Sequence, residues 1–259
     1  MKVLCIGDVV GDAGLDFLCR RLPSLKKQLG ADFVIVNGEN SDKSGVGLTR
    51  HGADTLLQYA DVITTGNHCY RRTDESLYIE NECVLHPANQ PYTEDKAGCC
   101  LLDLGRLGTL RVINLAGVAF LEPIDNPFQR VDQLLAASPA RFTIVDFHAE
   151  STAEKRALGY YLDGRVSAVF GTHTHVPTAD EQILPGGTGY ITDVGMTGPY
   201  RSVLGVAPEL AVKKQREHVP AHFKVAEGPC VMGGVLFTLN ETTGLCTAVE
   251  RVQMLEDGL

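Results

Sequence analysis

Asp8, Glu39, Asn40, Asn67, His68, His148, His173 and His175 share one placement: each falls just after a short apolar run. Lys2-Val-Leu-Cys-Ile6 leads to Gly7-Asp8, and Phe33-Val-Ile-Val36 leads to Asn37-Gly-Glu39-Asn40. Asp61-Val-Ile-Thr-Thr65 leads to Gly66-Asn67-His68. Phe142-Thr-Ile-Val145 leads to Asp146-Phe-His148-Ala-Glu150, and Val166-Ser-Ala-Val-Phe170 to Gly171-Thr-His173-Thr-His175. All of these side chains are oxygen or imidazole donors, and chance would seldom put one after every candidate core strand.

The donor types select a metal class. Apart from His68, three histidines, two amides and two carboxylates, without thiolate, suit iron, manganese or zinc rather than calcium or a structural zinc. Seven donors exceed one open tetrahedral site and fit two cations that share a carboxylate, with Glu39 placed in chain order to bridge. In an extended segment His173 and His175 project from the same face. Their Cα atoms would lie about 7 Å apart, enough to give one ring to each of two ions separated by about 3.5–4 Å. His68, next to Asn67 in an extended segment, would point away from it and toward substrate.

Singly, most of these residues have plainer readings. Asp8 in Gly-Asp-Val-Val-Gly reads as a turn, Glu39-Asn40 as a turn or helix cap, and His148 as a hydrogen-bonded core histidine. Asn67-His68 is ambiguous, and only His173-x-His175 favours a metal unaided. The first turn also lacks the GxGxxG pattern and the lysine of a phosphate loop. His51, His86, His218 and His222 have no partners in the pattern and read as surface or loop residues. Cys69 reads as a packed thiol. Asp146 and Glu150 could orient imidazoles, although Glu150 could equally cap a helix near Thr152. The stretch from Asp193 to Pro199 reads either as a substrate-side loop or as a set of tight turns.

The elements that must position these residues follow from periodicity. The five runs are short and rich in Val and Ile, as expected of strands buried on both faces. Between them, Leu15 to Leu29, Thr49 to Tyr59 and Thr152 to Leu162 read as amphipathic helices, so an α/β layered fold is expected. Leu101 to Leu115 and Lys224 to Met254 read as strand pairs, joined at Arg106-Leu-Gly108 and Glu241-Thr-Thr-Gly244, so the sheets should be mixed. In such folds ligands sit outside the carboxyl ends of the strands.

Composition bounds the rest. The 259 residues are 44% hydrophobic and 21% charged, with no linker or repeat, which favours one domain over 1–259. No apolar run is long enough for a membrane span. The N-terminus lacks the order of a secretory signal. Eight cysteines without CxxC spacing read as reduced, mostly buried thiols of a cytoplasmic protein. A net charge of −9 makes duplex DNA a poor partner. The modest aromatic content argues neither for nor against a homo-oligomer.

The motif order GD…GEN…GNH…FHAE…GTHTH resembles the calcineurin-like metallophosphoesterases, and within them the YmdB-like branch, described as 2',3'-cyclic-nucleotide 2'-phosphodiesterases. The resemblance spans nearly the whole chain and includes His86-Pro-Ala-Asn89 and Ile191-Thr-Asp-Val-Gly-Met-Thr-Gly-Pro199. It implies a four-layer αββα sandwich, with two mixed sheets flanked by helices. It implies that Asp8, Asn40 and His175 hold one metal, that Glu39 bridges, and that Asn67, His148 and His173 hold the other. His68 would be the proton donor. The wider superfamily opens with Asp-x-His; here Asp8 is followed by Val9-Val10, and Asn40 would replace the missing imidazole, as in the YmdB-like branch.

Two divalent ions offset by Asp8, Glu39 and a bridging hydroxide leave a local charge of roughly +1, so an acidic protein can still receive an anionic phosphodiester. The expected reaction is opening of a small nucleotide phosphodiester, a 2',3'-cyclic nucleotide by resemblance, to the 3'-phosphate. Other readings are a phosphomonoesterase or cyclic-dinucleotide phosphodiesterase, or a regulatory nucleotide-binding protein that uses the metals as an anchor.

Overall fold

The computed structural model describes residues 1–73, 75–91 and 98–256. The chain runs β1 (Lys2–Ile6), β2 (Asp8–Val9), α1 (Gly11–Leu29), β3 (Phe33–Asn37), α2 (Arg50–Leu56), β4 (Val62–Thr64) and α3 (Ser76–Glu80). It continues with β5 (Cys99–Asp103), β6 (Thr109–Ala116), α4 (Pro127–Ala137), β7 (Phe142–His148), α5 (Thr152–Tyr161) and β8 (Ala168–Thr172). It closes with β9 (Gln182–Ile183), β10 (Gly189–Ile191), β11 (Met196–Pro199), α6 (Pro208–Glu217), β12 (Cys230–Leu239) and β13 (Cys246–Leu255).

Two sheets form. One has the order β2-β11-β12-β1-β3-β4 with β13 also paired to β12, and the other the order β5-β6-β7-β8-β10-β9. Both are mixed. β1, β3 and β4 are parallel while β12 runs against β1. β6, β7, β8 and β10 are parallel between antiparallel β5 and β9.

Side-chain alternation builds three apolar layers from these sheets. Leu4, Ile6, Val34 and Val36 meet Phe17, Leu18 and Leu22 of α1 and Leu56 of α2 on one outer face. Val3, Cys5, Ile35, Val235 and Phe237 pack on Val112, Ile144 and Phe170 between the sheets. Ile113, Val145, Phe147 and Val169 meet Val131 and Leu134 of α4 and Leu158 of α5 on the other face. Three apolar layers separate four layers of structure, as expected.

Helix α1 starts at Gly11, four residues before the amphipathic pattern begins. Residues 11–14 are Gly-Asp-Ala-Gly and carry no apolar period, yet they pack tightly: a Cβ on Gly14 would sit 2.3 Å from the Thr197 carbonyl oxygen. The helix ends at Gly30, whose φ of 64° is a left-handed cap, with Lys26 and Lys27 in the last turn opposing the helix dipole. Arg106-Leu-Gly108 and Glu241-Thr-Thr-Gly244 fall at the two hairpin turns, although the second strand pair begins at Cys230, not Lys224. Among the described residues no helix is long and apolar enough to cross a membrane.

Candidate metal centre

The carboxyl ends of the parallel strands of both sheets face a common edge, and all eight sequence-expected residues meet there. Asp8 Oδ2 accepts from the His173 backbone N–H at 3.1 Å, and its Oδ1 is 3.7 Å from His148 Nδ1 and 3.8 Å from His175 Nε2. Glu39 Oε1 is 3.1 Å from His148 Nε2 and 3.0 Å from His68 Nδ1. Asn67 Oδ1 lies 3.0 Å from His148 Nε2, and His173 Nδ1 lies 3.0 Å from the same nitrogen. Asn40 Nδ2 is 2.9 Å from His175 Nε2 and its Oδ1 is 3.3 Å from His68 Nδ1; a half-turn of the amide would exchange the two atoms.

Each of three imidazoles has one nitrogen committed outward. Thr172 Oγ1 donates to Asp146 at 2.8 Å, so it accepts from His148 Nδ1 at 2.9 Å, which leaves His148 Nε2 facing Glu39. Leu204 carbonyl oxygen accepts from His175 Nδ1 at 3.0 Å, leaving Nε2 on the Asp8 and Asn40 side. Glu150 lies 3.0 Å from His173 Nε2, leaving Nδ1 facing His148. Outward partners of this kind fix tautomer and ring direction in metal sites. Ser151, not Glu150, caps α5.

Electrostatics favour cations here. Asp8 and Glu39 are buried, and Asp8 Oδ1 and Glu39 Oε1 accept no hydrogen bond among the described residues. A buried carboxylate oxygen without a donor is costly, and a cation satisfies it. Burial raises the Asp8 carboxyl above its ordinary value, against the pull of His175 and His148. Burial also pushes Glu39 up, but His148 and His68 outweigh it and hold Glu39 well below the usual range. His148 resists charge through burial, yet Glu39, Asp8 and Asp146 push it up to about 9. Burial and the neighbouring His148 push His173 down to about 3, so it stays a neutral lone-pair donor. A proton on His148 and a divalent cation satisfy the same carboxylates and therefore compete. Glu39, His148 and His173 offer ligand atoms within 4.8 Å of one another, so these residues fit a metal ion.

The backbone differs from the extended segments expected. His173 and His175 follow the end of β8 in a bend, with φ of 96° and 63°. Both rings reach the centre through left-handed backbone rather than strand alternation. Asn67 to Tyr70 is a turn. Consecutive side chains in a turn need not diverge, so His68 touches Glu39 directly instead of pointing away from the cluster. Its Nε2 has no partner among the described residues, and the ring lines a cavity of about 260 Å³ with Glu39, Asn40, Glu150, His173 and His175. Gly66 precedes the turn because a Cβ there would lie 2.2 Å from His148 Cδ2 and 2.3 Å from Glu39 Oε2.

Asp146 orients His148 through Thr172, as expected, but several other positioning groups gave no readable signal in the sequence. Asn37 on β3 and Thr64 on β4 donate to Asp146 on β7, stitching one sheet to the other. Burial raises the Asp146 carboxyl to about 6. Asn114 on β6 bonds the Thr65 N–H at 2.9 Å and carbonyl at 3.0 Å. The buried Lys155 Nζ donates to Asp193 Oδ2 and to the Thr172 carbonyl oxygen, both at 2.7 Å, while Asp193 also holds Thr174. Asp193 therefore props the histidine bend from behind, and Met196–Pro199 is the strand β11, which corrects the substrate-side reading of that stretch. His86 lies in a loop, but the surface reading is corrected: it is fully buried, wedged against the Tyr70 and Tyr78 rings, with Nδ1 bonded to the Pro87 carbonyl oxygen. Its flanking apolar residues, not a metal pattern, explain its position. His51, His218 and His222 are exposed as expected.

An α/β/β/α sandwich with carboxylates, amides and inward-facing imidazoles at its strand ends defines a metal-binding protein of the phosphoesterase kind. By a family model matched over residues 4–252, the chain belongs to the YmdB-like protein family. It is 43% identical to the 2',3'-cyclic-nucleotide 2'-phosphodiesterase of Bacillus subtilis, over 99% of this chain and 98% of that protein. Its fold matches a crystal structure of a hypothetical protein from Thermus thermophilus, with TM-score 0.90, 37% identity and coverage of 99% and 100% of the two chains. It also matches a phosphatase from Mycoplasma pneumoniae, with TM-score 0.92, 34% identity and coverage of 99% and 94%.

Proposed function

We propose that this chain, acting as one cytoplasmic domain across 1–259, is a phosphodiesterase that opens 2',3'-cyclic nucleotides at the 2' ester. It would use two divalent cations, iron or manganese before zinc. The observation that carries this reading is the buried donor cluster. Three imidazoles turn one ring nitrogen each inward, toward the buried Asp8 Oδ1 and Glu39 Oε1, beside a histidine that lines a cavity. The 43% identical relative named for that activity supplies the substrate class.

In this reading Asp8, Asn40 and His175 would hold one ion and Asn67, His148 and His173 the other, with Glu39 shared between them. Such ions lower the pKa of bound water and stabilise charge on phosphoryl oxygens. The protein's own share is positioning and proton transfer. Asp8 and Glu39 supply the negative charge that retains the ions, while the neutral amides and imidazoles leave net positive charge for the phosphate. His68, with Nδ1 at 3.0 Å from Glu39 Oε1 and 3.3 Å from Asn40 Oδ1, would deliver the proton at Nε2 to the departing ribose O2'. Water adds across the P–O2' bond: a P–O bond to water forms, the P–O2' bond breaks, and O2' leaves as a hydroxyl.

The test is product identification from 2',3'-cyclic AMP with manganese-loaded or iron-loaded protein, together with counting metal per chain. Adenosine 3'-monophosphate as product, about two ions per chain, and loss of turnover with a chelator are expected. Nucleotide binding without turnover in either metal form would overturn the proposal in favour of an anchor.

A further inference from the structure

We infer that the base of the nucleotide is received in the polar cleft on the Asn67 side of the centre, with the Tyr70 ring as its stacking face; this rests on the phosphodiesterase reading above. The cleft measures about 270 Å³ and is lined by Asn67, Cys69, Tyr70, Arg71, Gln90 and Glu122.

Location is the first argument. His68 protonates the leaving ribose oxygen, so the ribose lies against His68 and the base extends beyond it. The backbone ties Tyr70 and Arg71 to that point: Arg71 N–H donates to the His68 carbonyl at 2.9 Å, and Cys69 N–H to that of Gly66 at 3.2 Å. Asn67 belongs to both places, lining the cleft while its Oδ1 sits 3.0 Å from His148.

Chemistry is the second. Tyr70 is 42% exposed, yet its ring is braced by Tyr78 at 5.6 Å edge-on and by His86 at 5.8 Å. A braced, exposed ring is a stacking surface for any base. Arg71 brings donors and Glu122 acceptors, which matches the mixed edge of a nucleobase, while the Gln90 amide is turned to Cys69 Sγ at 3.8 Å. The larger cavity on the His175 side is walled by Val176, Ile191, Val194 and Met196, and its Arg251 is already paired with Glu181 at 2.8 Å. Tyr200, Ser202 and Gln253 also line it, but its wall is the more apolar of the two.

Preorganisation is the third. Glu122 stands on the loop between β6 and α4, and Asn89 staples both ends of that loop. The Asn89 amide donates to the carbonyls of Ala116 and Asp125 at 2.8 Å each, and its Oδ1 accepts from Ala116 N–H at 2.9 Å. Glu154 accepts from the Val118 and Ala119 N–H groups at 2.9 and 3.3 Å. Asn89 is thus a positioning residue for the far wall of the cleft.

The experiment compares kcat/KM for 2',3'-cyclic AMP with that for methyl riboside 2',3'-cyclic phosphate, which has no base, using metal-loaded full-length protein. The preference for the nucleotide should fall about tenfold in Tyr70→Ala and persist in Tyr70→Phe. An unchanged ratio in Tyr70→Ala overturns the assignment, because a merely structural loss slows both substrates alike. Should that variant not fold, Arg71→Ala, at an exposed position, is read on the same ratio. If the wild type cleaves neither substrate, the phosphodiesterase reading falls by itself. The cleft is then judged on adenosine 3'-monophosphate affinity: about tenfold weaker binding in Tyr70→Ala supports it, and equal binding sinks it.

Discussion

At His68 two roles compete, because its Nδ1 is 3.0 Å from Glu39 while the ring lines a cavity. A proton donor and a ligand differ in what removal does. His68→Gln should lower kcat by about 10²–10⁴-fold with metal content kept, since general acids contribute on that scale. Parallel loss of metal by elemental analysis would make His68 a ligand. Gly66 sets a steric limit on the same turn. Gly66→Ala forces a methyl into His148 and Glu39, and should cost about 1–3 kcal/mol in denaturant unfolding and weaken metal retention. Residue types were legible in the sequence here, since donors after apolar runs are visible without coordinates. Which nitrogen of each histidine faces inward was not, because the outward partners Thr172, Leu204 and Glu150 are set by packing between elements.

The histidine bend after β8 is held by its neighbours, not by its own sequence. Left-handed φ at His173 and His175 is unfavourable for residues with a Cβ and persists where surroundings over-determine it. The buried Lys155–Asp193 pair, at 2.7 Å, supplies that restraint from α5 and the segment after β10. Lys155→Met leaves Asp193 buried without its counter-charge and should cost about 3–5 kcal/mol in equilibrium unfolding. It should also raise the metal concentration needed for half-maximal activity. A stability loss with unchanged metal dependence would show that the pair supports the core alone. Strand identity was readable from Val and Ile runs. The bend and the turn at Asn67 were not, because strand period says nothing about the residues that follow a strand's last hydrogen bond.

The whole molecule closes around charge. The sheets meet at one edge through Asn37, Thr64 and Asp146, and this places donors from both sheets around two buried carboxylates. A ligand that binds the folded chain alone stabilises it by mass action. Metal at a hundredfold above its Kd should therefore raise Tm by about 5–10 °C over chelator-treated protein. Calorimetry with and without manganese checks this, and an unchanged Tm with metal bound would mean that the unfolded chain holds the metal as tightly as the folded one. The layered class, the donor inventory and the order of the motifs could all be read along the chain, because apolar periodicity and residue chemistry are local properties. The distances between donors, the burial of His86, the role of Asp193 and the cleft beside Asn67 emerged only on folding. Each of these depends on contacts between residues far apart in the chain, and no local pattern encodes where two sheets will cross.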